Sequence, residues 1–103
     1  MATLGERGTR AVGIAWMREE DYPALVRIFE DGDMFTDGWE AWNKRAEALE
    51  DRMKSEGVIV LRAYLDSETF ADWCTVRGLN PDREGRLAFG EEFAAEQYGR
   101  DQS

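Results

Sequence analysis

A chain of 103 residues, 43% hydrophobic and 34% charged, has the size and composition of one globular domain rather than a disordered segment. Its net charge of −9, from 22 acidic and 13 basic residues, argues against a general nucleic-acid binder, which needs a phosphate-neutralising surface. The single cysteine, Cys74, excludes an intramolecular disulfide. No apolar run approaches a membrane span, and the opening MATLGERGTR lacks the apolar core of a signal peptide, so a cytoplasmic protein with no membrane partner is expected.

Residues 1–9 are small, polar and Gly-containing and read as a flexible tail ahead of a single domain over 10–98. Arg10 to Met17 reads as a first strand, with Val12, Ile14 and Trp16 on one face at period two. Its other face, Ala11, Gly13, Ala15 and Met17, is small enough to admit another element closely. Glu19 to Asp31 reads as a first helix. Carboxylates stand at its start, Pro23 is in its first turn, and Gly32 is its stop. After a loop, a second helix is expected from about Gly38 to Glu56, with Asp37 and Glu40 as a capping pair. Trp39, Trp42, Ala46, Leu49 and Met53 recur at alternating steps of three and four, the clearest periodicity in the chain.

Val58 to Leu65 reads as a second strand with both faces partly apolar, interrupted by Arg62. Ser67 is the expected cap of a third helix, about Glu68 to Arg77, whose buried face includes Phe70, Trp73 and Cys74. Asn80-Pro81 signals a fourth helix carrying Leu87, Phe89, Phe93 and Ala94, with Gly85 and Gly90 as weak points or places of close packing. Residues 99–103 are expected to fray. The expectation is an α+β domain in the order β-α-α-β-α-α. A helix hairpin would return the chain to the end where the first strand finished, giving an antiparallel pair packed by four helices. Two strands leave two open edges, and a homodimer joining them into a larger sheet follows as an expectation.

The words GIAWMREEDYPAL, EDGDMFTDGWEAWNKRAE and FADWCTVRGLNPDREGRLAFGEEFA together resemble a family of small uncharacterised bacterial proteins, a domain of unknown function. The resemblance covers roughly residues 13–95. It implies no activity and transfers no functional residue. The middle motif is similar to members with a Pro-Asp-Thr-Tyr type helix start. Here Thr36-Asp37-Gly38-Trp39 keeps an aspartate and an aromatic, a change of packing more than of chemistry.

Candidate chemistry is sparse. With no histidine, the commonest general acid/base and metal ligand is missing, and Ser-His-Asp and Cys-His arrangements are excluded within one chain. Cys74 has no adjacent activating base and reads as a core residue. Asp31, Asp33 and Asp37 form a D-x-D-x-x-x-D cluster that could hold a cation weakly. A calcium loop opening at Asp31 has Thr36 at position six and Trp42 at position twelve, and one opening at Asp33 ends on Lys44. Neither register supplies the bidentate acid, and turn and cap bonds explain the same aspartates. No catalytic residue and no cofactor is assigned. Four residues stand out for interaction: Trp39 and Trp42, as core or as an aromatic patch; Arg62, as a snorkelling side chain, as the partner of an acid, or as the mark of a pocket or interface; and Tyr64, which with Arg62 would belong to a carboxylate–arginine pocket. Residues 19–40 carry eight acids and one base, a charge excess that suits solubility or a basic protein partner. The leading expectation is therefore a noncatalytic protein-interaction or self-associating module. The alternatives are an acidic decoy of a basic protein and a small enzyme using carboxylate and arginine groups.

Overall fold

The structure is a computed structural model that describes residues 10–102. The tail expected at 1–9 lies outside those residues, as does Ser103. Strand β1 spans Arg10–Trp16 and is followed by a 3-10 turn, Glu19–Asp21, and helix α1, Tyr22–Ile28. A second 3-10 turn, Gly32–Met34, precedes helix α2, Trp39–Ser55. Strand β2, Val58–Tyr64, then leads to α3, Phe70–Val76, and α4, Arg83–Gln102. The architecture is α+β, with four helices and one two-stranded sheet among the described residues. The two 3-10 turns are elements that the expected order β-α-α-β-α-α leaves out.

The strands pair in parallel, Arg10 opposite Val58 through Trp16 opposite Tyr64. This corrects the expected antiparallel pair, and helix length is the reason. The first helical segment is not one helix from Glu19 to Asp31, because Phe29 turns to extended backbone and closes α1 after seven residues. Such a helix advances only about 10 Å, whereas a seven-residue strand spans about 23 Å. The seventeen-residue α2 covers about 25 Å, the full length of the sheet. It therefore carries the chain back to the level of Arg10 before β2 begins. The connection is a crossover rather than a hairpin.

Parallel pairing sets the same alternation on both strands. Ala11, Gly13 and Ala15 share a face with Ile59, Leu61 and Ala63, and α4 packs there. Val12, Ile14 and Trp16 share the opposite face with Val60, Arg62 and Tyr64, and α2 covers it. The α4 crossing is very close. A Cβ on Gly13 would overlap the carbonyl oxygen of Gly90, and one on Gly90 would overlap that of Gly13. Glycine at both positions lets helix backbone lie on strand backbone, over β1 itself. Gly85 serves the same end nearer the helix start, where a Cβ would run into the Asn80 carbonyl and the Cys74 sulfur.

Beyond the carboxyl ends of the strands, Met17, Leu25, Leu65, Phe70 and Cys74 are almost wholly enclosed, with Tyr22 and Phe29 beside them. An aromatic chain, Phe29–Phe70–Phe89–Trp73, joins α1, α3 and α4 edge to face at centroid distances of 5.1–6.0 Å. The main chain ties the same corner together, since Glu30 N–H donates to the Pro81 carbonyl at 2.9 Å. Helix starts differ from the sequence signals. Gly38, at φ 90°, occupies the α2 N-cap and Asp37 makes no capping bond. Thr69 rather than Ser67 precedes α3, while the Asp66 carboxylate accepts from the Glu68 N–H. At α4 the Asp82 carboxylate accepts the Gly85 N–H at 3.1 Å, the capping role expected of Asn80.

Replacing Gly90 by alanine opposes two effects. Helix propensity gains about 1 kcal/mol. Forcing a methyl into strand backbone costs on the order of 3 kcal/mol, because neither backbone can yield. Gly90→Ala therefore lowers the urea midpoint with an unchanged denaturant slope. An equal or higher midpoint would contradict the backbone contact.

Candidate functional site

Two surfaces combine concavity with placed side chains. The first is a groove of about 450 Å³ along the outer edge of β1. Its floor is Val12–Ala15. One wall is α2 through Trp42, Leu49 and Met53, and the other is α4 through Arg83, Arg86 and Leu87. Met17, Phe35 and Leu65 close the end nearest the core. Beyond Gly13 the edge continues past Arg10 and Ala11 into a second hollow, bordered by Glu91, Ala95 and Tyr98 of α4. Positions 83, 87, 91, 95 and 98 fall on one flank of that helix at helical spacing. Among the described residues, no backbone hydrogen bond joins the outer edge of β1 to another element; Trp16 O alone reaches beyond the ladder, to Leu65 N–H. An edge strand leaves alternate N–H and C=O groups without strand partners, so the groove has a hydrogen-bonding floor between an apolar α2 wall and an α4 wall that carries Leu87 with Arg83 and Arg86.

Sequence reasoning did not reach this groove. The expected α2 stripe is present, but α2 packs over β2 more than over β1, so Trp42, Leu49 and Met53, on the side of the β1 edge, remain only partly buried. Leu87, expected inside, is half exposed at the rim. Arg86 anchors the core end: Nη1 and Nη2 donate to the two Asp31 carboxylate oxygens at 2.9 and 2.8 Å, and its guanidinium lies 4.5 Å from the Phe29 ring centre. Fifty-five residues separate that pair, a distance no local pattern reports.

The second surface is a shallow bowl of about 390 Å³ at the carboxyl ends of both strands. It gathers three of the four residues singled out from sequence: Trp39, Arg62 and Tyr64. Trp42 turns instead to meet Trp16 edge to face at 5.6 Å, and it lines the groove. The bowl's polar groups are largely used within the protein. Trp39 Nε1–H donates to the Met17 carbonyl at 2.8 Å, and Trp16 Nε1–H to Asn43 Oδ1 at 3.1 Å. Arg62 lies 3.8 Å from the Trp16 ring centre while its Nε and Nη2 both donate to Glu50 at 2.8 Å. Arg18 covers the Tyr64 ring at 4.1 Å.

These contacts decide the chemistry. Among the described residues Glu50 is the one buried acid. The bidentate Arg62 bond holds its carboxyl below the usual glutamate range against the opposing effect of burial. Arg62 in turn is pushed above its ordinary value, chiefly by the same bond. A carboxylate locked in this way is not poised to exchange a proton near neutral pH. Burial pushes the Cys74 thiol up, away from the reactive thiolate.

The aspartates of the candidate cation loop separate. Asp31 is taken by Arg86, whose hydrogen bonds hold its carboxyl below the usual range. Asp37 faces Arg45 at 3.3 Å, and Asp33 sits exposed in the second 3-10 turn. Among the described residues no group of three acids, cysteines or histidines is placed to hold a metal ion. No described helix is long and apolar enough to cross a membrane. No family profile, curated protein or solved structure matches the chain.

The sign of the Glu50 perturbation fixes a pH dependence. Its folded value is depressed, so its stabilising contribution is complete above the unfolded carboxyl pKa and is lost as pH falls through the folded value. Glu50→Gln leaves the Arg62 guanidinium without its partner. Because that side chain is 32% exposed, solvent softens the loss to about 2 kcal/mol at neutral pH, below the full buried-pair figure. Urea midpoints taken between about pH 7 and about pH 3 should fall steeply for the native protein and less for the variant. Parallel curves would show that Glu50 is not the linked group.

Proposed function

We propose that the protein is a noncatalytic interaction module that takes an extended peptide segment along the open edge of β1. The observation that carries this reading is the groove itself: an unpartnered strand edge walled by two helices, with apolar side chains on both sides. Strand addition draws affinity from main-chain hydrogen bonds and selectivity from the alternate side-chain pockets. The β1 edge from Arg10 to Trp16, of which Val12–Ala15 floor the groove, is about 23 Å long, enough for a seven-residue segment. The saturated polar groups of the bowl weigh against an enzyme reading centred on Arg62 and Tyr64.

A bare segment suits this edge better than the β1 edge of a second copy. Two copies related by a two-fold axis through a joined sheet would set their β1 strands about 4.8 Å apart. Each α4 lies directly over its own β1, through Gly90 on Gly13. The two helix axes would then run side by side at about the same 4.8 Å, although packed helices need about 8–10 Å. An added strand without helices slides beneath α4 with no such conflict.

Peptides selected from a random display library supply the probe, and amide hydrogen exchange supplies the readout. In the free protein, alternate amides between Ala11 and Ala15 should exchange quickly. A selected peptide should slow them about tenfold or more while the protein stays monomeric by light scattering. Protection confined to the bowl at the strand ends, or absent from β1, would refute strand addition. Slow β1 exchange together with a dimer mass would assign the edge to self-association instead.

A further inference from the structure

We infer that the segment taken by this groove alternates small with branched apolar residues and carries acidic side chains at the end lying beside Arg83. The inference rests on the strand-addition reading and names the chemistry of its occupant.

The alternation follows from the two walls. A third strand beside β1 continues the pleat, so its side chains point alternately toward α4 and toward α2. On the α4 side the Gly13–Gly90 contact brings helix backbone down onto the sheet, and β1 presents only Ala11, Gly13 and Ala15 there. Side chains of an added strand on that side meet the same low ceiling, which admits Gly, Ala or Ser. On the α2 side the wall is Trp42, Leu49 and Met53, all only partly buried. Their apolar surface is covered by branched or aromatic residues, as Val12 and Ile14 cover it from β1.

The charge follows from the lining. The chain carries −9 overall, yet the charged residues along the groove and its continuation are Arg10, Arg83, Arg86 and a single acid, Glu91. Arg86 is matched by Asp31, and Glu91 lies at the Arg10 end. The basic excess therefore falls at the Arg83 end. Arg83 is exposed and makes no ion pair among the described residues. Of the acids beside Arg83 in the chain, Asp82 is engaged by the Gly85 N–H, and neither Asp82 nor Glu84 lines the groove; charges beyond about 8 Å are largely screened at physiological salt.

The test uses synthetic peptides, acetylated and amidated so that only side chains carry charge, with Ala or Gly alternating with Val or Ile and a Glu pair at one end. Both directions of the sequence are made, because the segment can run either way along β1. Binding is read by fluorescence anisotropy against the full chain at two salt concentrations. One direction should bind, and changing its Glu pair to Lys should weaken it about tenfold or more. Arg83→Glu, at an exposed position that leaves the circular dichroism unchanged, should invert that preference. Enlarging the small positions to Val should also cost about tenfold. Equal affinity for the Glu and Lys peptides, or for the small and enlarged ones, overturns the inference. Strand addition is judged separately by methylating alternate backbone amides of the binding peptide. If the methylated peptide binds as well, or if no peptide in the set binds, the underlying reading fails and the inference falls with it.

Discussion

The contact between Gly13 and Gly90 governs where everything else lies. With no Cβ on either side, a helix rests on a strand at backbone distance, and α4 is drawn over β1 rather than over the middle of the sheet. Two consequences follow. The β2 side of the same face is thinly covered, and Ile59 stays partly exposed there. On the other side, α4 reaches past the outer edge of β1 and becomes a wall. A larger residue at either glycine would lift the helix, and the groove would lose its shape before it lost its residues.

The opposite wall has a different origin. Helix α2 packs mainly over β2, so the part of its apolar stripe on the β1 side stays partly open and lines the groove. Its position is set by Trp42 against Trp16 and by Glu50 against Arg62, one contact of shape and one of charge. The charge pair does not have to add much net stability to matter. A bidentate carboxylate–guanidinium bond stacked on an indole permits few orientations of the helix over the sheet. The same saturation leaves the bowl at the strand ends with few polar groups to offer a ligand, although a parallel sheet often binds ligands at that end. The proposed function accordingly lies at the edge of the sheet instead of at its carboxyl end.

The legible parts of the fold were those written in local periodicity. The small face of β1 announced a close neighbour, and the three-four spacing of α2 marked the helix face that holds buried Ala46 and the groove-lining Trp42, Leu49 and Met53, though not the buried Glu50. The lone Arg62 among apolar neighbours read as the partner of an acid or as the mark of a pocket; it pairs with Glu50 and also borders the bowl. Where reasoning failed, the deciding quantity was not local. Strand direction depended on how far α1 travels before Phe29 ends it, a matter of a few residues in helix length. Asp37 looked like a cap, yet Gly38 takes the cap position and leaves the carboxylate to Arg45. Asp31 resembled a cation ligand until Arg86 arrived from the other end of the chain. The groove was least legible of all, because it is a gap between a strand edge and two helices and no single segment encodes it. Leu87 was expected inside, and Arg83 and Arg86 beside it carry no local pattern that distinguishes a groove wall from an ordinary amphipathic border.

The parallel sheet with α4 lying on β1 is the claim from which the groove and its occupant descend, and proton–proton contacts in solution address it directly. Nuclear Overhauser spectra should show close contacts between the Cα protons of Gly13 and Gly90, with cross-strand contacts placing Gly13 opposite Leu61 in a parallel pattern. Strong Cα-proton contacts between facing residues of β1 and β2, the signature of an antiparallel pair, or no contact between the two glycines, would contradict the account.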